Sequence, residues 1–269
     1  MIIKVLSLFP DSVSAILNSS ILRRAQVQTP LRLEAEDLRN YADNKHRSAD
    51  DIPYGGGQGM VFRPDVLANA MRAQLEIVGG DRSRLKILYA TPRGIALSQT
   101  VFARSAEWLA GADTAPAFQA TPTDERMLVI VCGRYEGVDE RFIEEWVDLE
   151  FSLGDFILTG GEIPALAFAD GVVRLLPGVL GNADSARHDS FSNGLLEHPY
   201  YTRPKDYAPG EVPAVLSSGD HAKISAWKES QSLLLTFAYR PDLITAHSGE
   251  GLGAAGVALL ERLKARLCP

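Results

Sequence analysis

Residues 127–162 have the sequence MLVIVCGRYEGVDERFIEEWVDLEFSLGDFILTGGE, in which two short apolar runs flank a helical pattern. The apolar runs cover residues 127–132 and 147–153, and apolar side chains recur at helical spacing over residues 139–146. Strands that alternate with helices in this way form mostly parallel sheets covered by helices. The segment therefore predicts an α/β fold.

The same alternation extends upstream of this segment. Strand patterns and helical patterns before residue 127 cover, in chain order, residues 2–8, 11–26, 31–38, 65–75, 86–90 and 99–109. A longer helix is predicted directly downstream, over residues 162–176. We therefore expect residues 1–176 to form one α/β domain with a mostly parallel sheet.

The composition changes at Pro177. From there to about Pro213 the chain is rich in Gly, Pro, Ser, Asn and Asp, which indicates a functional loop or an interdomain linker. Helical patterns return over residues 222–239 and 256–267. The sequence thus predicts a linker or lid at residues 177–213 and a small helical domain at residues 214–269.

The composition also limits the class of protein. With 269 residues, 46% of them hydrophobic and 23% charged, the chain can bury a sizeable core. Its apolar N-terminal run is too short for a signal peptide, and no window approaches the length of a membrane span. Cys132 and Cys268 lack the paired spacing of a zinc site or a disulfide framework. These features predict a cytoplasmic protein without a membrane span.

The net charge of -7 disfavours a protein that coats nucleic acid through bulk electrostatics. Any contact with nucleic acid, RNA included, must therefore come from local basic clusters. Three such clusters are present: Arg23 with Arg24, Lys45 with Arg47, and Arg203 with Lys205.

Three glycine-containing segments follow predicted strands, at residues 89–94, 132–137 and 152–162. Open parallel sheets bind ligands at the carboxyl ends of their strands, and glycine lets the backbone approach a ligand closely. None of the segments matches the dinucleotide fingerprint or the phosphate-binding P-loop, which disfavours a nicotinamide-dependent dehydrogenase. Each segment alone could be an ordinary turn, but their recurrence at successive strand ends predicts a ligand site.

Several longer motifs resemble those of the TrmD family, the bacterial tRNA guanine-N1 methyltransferases of the knotted SPOUT class. The motifs are DIPYGGGQGM at 51–60, CGRYEGVDER at 132–141, GDFILTGGE at 154–162, PGVLG at 177–181, GLLE at 194–197 and YTRP at 201–204. The resemblance extends from Met1 to about Leu243, in order and with near-family spacing.

The resemblance implies a trefoil-knotted methyltransferase domain that binds S-adenosylmethionine as methyl donor. It also implies a homodimer, a tRNA substrate methylated on the guanosine directly 3′ of the anticodon, and participation of Mg²⁺. The helical domain at residues 214–269 would, by the same resemblance, bind the tRNA. The residues that it assigns to the cofactor site are Tyr89, Thr91, Pro92, Gly133, Tyr135, Glu136, Gly137, Leu153, Gly154, Phe156, Leu158, Gly160, Gly161 and Pro164. Glu136 could equally be an acid at the start of a helix.

Methylation of guanine N1 requires a base for the N1 proton and a cation near the developing negative charge. By resemblance, Asp189 is the general base and Arg174 stabilises that charge. Taken without the family, Asp189 could cap a turn and Arg174 could interact with a helix dipole. His188 is a less favoured base, because the family pattern does not require histidine there.

Two other functions remain open from the sequence. A SPOUT methyltransferase that modifies the ribose 2′-oxygen would share the knot but lack the linker around Asp189. A noncatalytic RNA-binding module could keep a vestigial cofactor pocket, although the presence of Arg174 and Asp189 speaks against it.

Overall fold

A computed structural model describes residues 1–111, 125–180, 189–207 and 210–267 of the chain. Its strands are β1 (Ile2–Ser7), β2 (Arg32–Asp37), β3 (Asp50–Asp51), β4 (Val61–Phe62), β5 (Leu85–Ala96), β6 (Met127–Val131), β7 (Leu149–Ser152), β8 (Asp206–Tyr207) and β9 (Gly210–Glu211). Its α-helices are α1 (Pro10–Leu17), α2 (Ser20–Gln28), α3 (Pro64–Ile77), α4 (Gln99–Ala110), α5 (Glu140–Trp146), α6 (Glu162–Val173), α7 (His221–Tyr239), α8 (Pro241–Ala246) and α9 (Ala254–Leu267).

The central sheet has five strands in the order β2-β1-β6-β5-β7, and every neighbouring pair is parallel. Two small antiparallel pairs, β3-β4 and β8-β9, lie outside it. The predicted α/β class with a mostly parallel sheet is therefore confirmed.

Buried side chains cover both faces of this sheet. Along β1, Ile3 and Val5 pack in the cluster formed with α1, α2, α4 and α6, whereas Ile2 and Leu6 pack in the cluster formed with α3 and α5. The alternation follows from the two-residue period of a strand. Each fully buried aliphatic side chain contributes about 1.5–3 kcal/mol, so the two clusters hold the strand ends in place.

The helix predicted over residues 11–26 is two helices, α1 and α2. Asn18 Nδ2 donates a hydrogen bond to the carbonyl of Ser14 (2.9 Å), and Ser19 Oγ donates to the carbonyl of Ile16 (2.8 Å). Such local bonds compete with the helical ladder and end it. Apolar periodicity alone does not detect this break.

Two further predictions about helices differ from the structure. The helix predicted over residues 162–176 ends at Val173, and Arg174 is its C-cap. The six-residue helix α8 was not predicted, because it is too short to establish a periodic pattern.

The segment at residues 89–94 was predicted to follow a strand, but it lies inside β5. The pairing of β5 with β7 shifts register between Ala90 and Ile95, so the intervening residues bulge out of the ladder. A Cβ atom at Gly94 would collide with the backbone of Phe151. Glycine therefore allows β5 to resume pairing directly after the bulge.

The chain divides into two compact units, Met1–Gly181 and Asn182–Pro269. The first contains the five-stranded sheet. Within the second, helices α7, α8 and α9 contribute to a buried core of Leu195, Leu233, Ile244, Leu260 and Leu263. A separate linker at residues 177–213 stays a prediction. Among the described residues, the helices lack the length and apolar character needed to cross a bilayer.

Candidate functional site

A cleft of about 280 Å³ opens at the carboxyl ends of β6 and β7, next to the bulge of β5. This volume is near the lower end of the range for small-molecule sites. Three segments form its walls: residues 89–92, residues 133–137 and residues 151–164. The structure thus brings the three glycine-containing segments to one place.

Every residue that the resemblance assigned to the cofactor lies in the lining of this cleft. Their role in binding stays a prediction, since proximity alone does not identify a ligand. The lining also contains residues that were not assigned: Ala90, Arg134, Phe151, Ser152, Ile157 and Thr159.

Arg134 and Glu162 connect two walls of the cleft. The Arg134 guanidinium lies 3.0 Å (Nη2) and 3.2 Å (Nε) from the two carboxylate oxygens of Glu162, whose exposed fraction is 7%. Ser7 Oγ at the end of β1 donates a third bond to Glu162 (2.7 Å). A buried carboxylate needs such partners, because losing water is costly for a charge. This network was missed because its members are far apart in sequence.

Backbone contacts hold the same two loops together. The Gly161 N–H donates to the Gly133 carbonyl (2.9 Å), and a Cβ at Gly161 would lie 2.8 Å from Cys132 Cα. The close approach therefore requires glycine at position 161. The Cys132 thiol is fully buried beneath it, and burial raises its pKa well above the usual range. Cys132 is consequently a packing residue and not a thiolate nucleophile.

Tyr89 forms an inner part of the cleft. Its side chain is buried, and its phenol lies 3.0 Å from where Cβ atoms at Gly133 and Gly137 would be. Burial raises the pKa of Tyr89, and the negative charge of Glu150 adds to the effect. The phenol therefore stays neutral at pH 7 and offers a hydroxyl rather than a charge.

The outer part of the cleft combines apolar and polar groups. Phe156, Ile157 and Leu158 are exposed although they are large and hydrophobic, and they follow one another along the third wall. Glu136 is also exposed, beside Gly59. The arrangement suits a ligand with a flat apolar part, a hydrogen-bonding edge and a positive charge.

The two predicted catalytic residues lie in different units. Arg174 is half-buried at the end of α6, outside the cleft lining, and its backbone N–H donates to the Asp170 carbonyl (3.1 Å). Asp189 begins a turn of the second unit, where its carbonyl accepts a bond from the Ser192 N–H (3.1 Å). His188 lies outside the described residues. The roles of Asp189 and Arg174 stay predictions.

The predicted basic clusters differ in their surroundings. Arg24 donates to the carbonyl of Val179 (3.2 Å), and Arg47 donates to Asn40, so both have structural contacts. Arg203 and Lys205 are exposed.

No group of three or more His, Cys, Asp and Glu side chains is arranged to hold a metal ion within residues 1–111, 125–180, 189–207 and 210–267.

The sequence of the chain is similar to one protein family and to several of its members along most of its length. A family model described as tRNA (Guanine-1)-methyltransferase TrmD matches residues 1–246. A protein of Bacillus licheniformis is 46% identical over 239 residues, which cover 89% of this chain and 90% of the relative. The corresponding values are 44% over 242 residues for Bacillus subtilis (90% and 91%) and 44% over 267 residues for Desulforudis audaxviator (99% and 98%). Each relative is named tRNA (guanine-N(1)-)-methyltransferase.

Proposed function

The chain belongs to the TrmD family of tRNA (guanine-1)-methyltransferases, and we propose that it methylates N1 of the guanosine directly 3′ of the anticodon in tRNA. The methyl donor in this proposal is S-adenosylmethionine. One observation carries the proposal. The three glycine-containing segments line a single cleft, and every residue that the resemblance assigns to the cofactor lies in that lining.

The residues of the cleft fit this donor. Glycine-containing backbone lines the cleft on two sides, at residues 133–137 and 153–161, where N–H and C=O groups can meet the edge of an adenine ring. The apolar side chains of Phe156 and Leu158 suit the faces of that ring. The exposed carboxylate of Glu136 suits the positive charges of the donor. When bound, the donor supplies an electrophilic methyl group attached to a sulfonium.

The chain's own side chains perform the proton chemistry in this proposal. The N1–H bond of the guanine breaks as a carboxylate oxygen of Asp189 accepts the proton, which leaves the N1 electron pair free to attack. Negative charge develops on the ring and O6, where the Arg174 guanidinium stabilises it electrostatically. Both residues are half-buried, which favours strong electrostatic interaction without full desolvation.

We also propose a knotted, two-fold dimer, as the family implies. Each site would then combine the cofactor loops and Arg174 of one chain with Asp189 of the other. The trefoil knot would lie near the carboxyl ends of β5, β6 and β7. The close packing of the Gly133 and Gly161 loops supports this location.

The proposed reaction is tested with purified full-length chain, S-adenosylmethionine labelled in the methyl group, and an unmodified tRNA transcript. We expect label in the RNA, and none in a transcript that carries adenosine in place of the guanosine 3′ of the anticodon. Equal labelling of both transcripts would contradict the proposed target. The same reaction with EDTA, and after Mg²⁺ is restored, tests the participation of Mg²⁺ that the resemblance implies.

A further inference from the structure

Four rings of the second unit gather at its surface, and we call them the aromatic platform: His198, Tyr200, Tyr201 and Trp227. The ring centroids of His198 and Tyr200 are 4.5 Å apart, with an interplanar angle of 52°. Trp227, on α7, lies 6.4 Å from His198 and 6.2 Å from Tyr201. These separations are typical of interacting aromatic pairs, so the four rings form one contiguous group.

The platform is directed to solvent and is not a packing core. Tyr200 is 70% exposed and Tyr201 is 48% exposed, whereas His198 and Trp227 are half-buried. The buried core that the described residues of this unit form contains none of the four rings. Single exposed rings are common on protein surfaces, but exposed rings that contact one another form a contiguous patch, which is typical of a surface that a partner covers.

Tyr200 is held in place although its ring is exposed. Its hydroxyl donates to Glu197 Oε1 (2.8 Å), and its ring contacts His198. An oriented ring loses little side-chain entropy when a flat group stacks on it. The free area of this ring is therefore prepared for a planar ligand.

Positive charge lies beside the platform along the chain. Arg203 and Lys205 follow Tyr201 by two and four residues, Lys228 follows Trp227 directly, and all three are exposed. The nearby acids in sequence are Glu197, Asp206 and Glu229. Two of them already have partners, because the Glu197 carboxylate accepts the Tyr200 hydroxyl and the Glu229 carboxylate accepts the Gly253 N–H. Aromatic rings combined with exposed Arg and Lys are typical of surfaces that bind unpaired nucleotides.

We propose that the aromatic platform stacks an unpaired base of the RNA substrate, while Arg203 and Lys205 contact the adjoining phosphates. This inference rests on the proposed function, which supplies the RNA. It adds a binding site for the loop of that RNA, formed by residues that do not belong to the lining of the cleft. Stacking does not distinguish one base from another, so the platform contributes affinity and position rather than sequence readout.

Trp227 provides a direct reporter of stacking. The other tryptophans, Trp108 and Trp146, belong to the first unit, so Trp108→Phe and Trp146→Phe together leave Trp227 as the single source of tryptophan emission. The probe is an RNA hairpin with the anticodon stem and loop, and a fully paired duplex of equal length is the control. We expect the hairpin to quench Trp227 emission and the duplex to leave it unchanged. Binding of the hairpin, detected by anisotropy, without any change in emission would overturn the proposal.

Tyr200→Ala and Tyr239→Ala form a matched pair of variants. Tyr239 is 73% exposed in the same unit and is not part of the platform. We expect Tyr200→Ala to raise the KM for tRNA about 5- to 150-fold, the range for loss of one aromatic stacking partner. The kcat and the KM for S-adenosylmethionine should not change. Tyr200→Phe keeps the ring but loses its bond to Glu197, so it should raise the KM for tRNA less than Tyr200→Ala does. Tyr239→Ala should behave as wild type. Equal KM values for the two alanine variants would overturn the proposal.

Failure of the proposed function gives a different result. If the wild type transfers no methyl group, the Kd for the hairpin is measured in place of the KM for tRNA. Tyr200→Ala should then raise this Kd, relative to Tyr239→Ala, by the factor given above for KM. A platform that instead covers a protein surface would show no change in hairpin Kd but an altered sedimentation coefficient for Tyr200→Ala. That outcome would contradict the RNA proposal and leave the methyltransferase proposal standing.

Discussion

The Arg134 guanidinium donates to the Glu162 carboxylate at the junction of two loops, with Nη2 3.0 Å from one oxygen and Nε 3.2 Å from the other. Arg134 follows β6 and Glu162 begins α6. Ser7 Oγ donates to the same carboxylate from the end of β1. The pair therefore ties together two neighbouring loops that form walls of the cleft.

Glu162→Gln is expected to lower the free energy of unfolding by about 1–3 kcal/mol, because it leaves a partly buried guanidinium without its counter-charge. The estimate is below that for a fully buried pair, since a quarter of the Arg134 side chain is exposed. Urea denaturation measures this change. Glu144→Gln, an exposed site on α5, is the control and should lie within about 0.5 kcal/mol of wild type. Equal stability of both variants would contradict the role assigned to the pair.

Tyr89 makes the free energy of unfolding depend on pH in the alkaline range. Burial raises the pKa of its phenol in the folded state, whereas the unfolded chain titrates near the ordinary value of about 10. The stabilisation of the fold that comes from the raised pKa of Tyr89 is therefore fully present below about pH 10. It is lost as the pH rises through the raised pKa of the folded state. Between pH 8 and 11, wild type should lose more unfolding free energy than Tyr89→Phe. Tyr239→Phe, at an exposed ring, should follow wild type; a Tyr89→Phe profile parallel to wild type would refute the prediction.

Asp189→Asn keeps the size of the side chain but removes its basicity. We expect methyl transfer to fall at least ~100-fold, as for a lost general base. The binding of S-adenosylmethionine, measured by calorimetry, should stay at the wild-type level. Glu261→Gln, an exposed acid on α9, is the control and should keep full activity. Near-normal turnover by Asp189→Asn would show that Asp189 is not the general base and serves only the turn in which it lies.

The sequence predicted the elements whose pattern is local. Strand β6 and helix α5 were found because a buried strand is continuously apolar and a helix repeats every 3.6 residues. The bulge in β5 and the break between α1 and α2 were missed. Both depend on single contacts, the approach of Gly94 to Phe151 and the side-chain bonds of Asn18 and Ser19, which periodicity does not record.

The position of the cleft could be predicted from the sequence, but the side-chain contacts that join its walls could not. Glycines at strand ends located its walls, since parallel strands deliver their carboxyl ends to one edge of the sheet. The partnership of Arg134 with Glu162 and Ser7 joins residues from three different segments. No local pattern specifies such pairs, because they are set by tertiary packing.

The proposed dimer predicts complementation between two inactive variants. Arg174→Ala and Asp189→Ala, unfolded together and refolded, should form mixed dimers in which one site carries both changes and the other carries neither. Random pairing makes half the dimers mixed, so activity should recover to about a quarter of wild type if the sites are independent. Each variant refolded alone is the control. Mixed dimers that stay inactive would mean that both residues serve one chain's site or that the two sites are coupled.

The central claim is methylation of guanine N1, and the identity of the product nucleoside tests it most directly. Unmodified tRNA is incubated with the full-length chain and S-adenosylmethionine, digested to nucleosides, and analysed by liquid chromatography and mass spectrometry. We predict 1-methylguanosine as the product, absent from the reaction with Asp189→Asn. A ribose 2′-O-methylated nucleoside in its place, or no methylated nucleoside from a chain that binds both substrates, would contradict the claim.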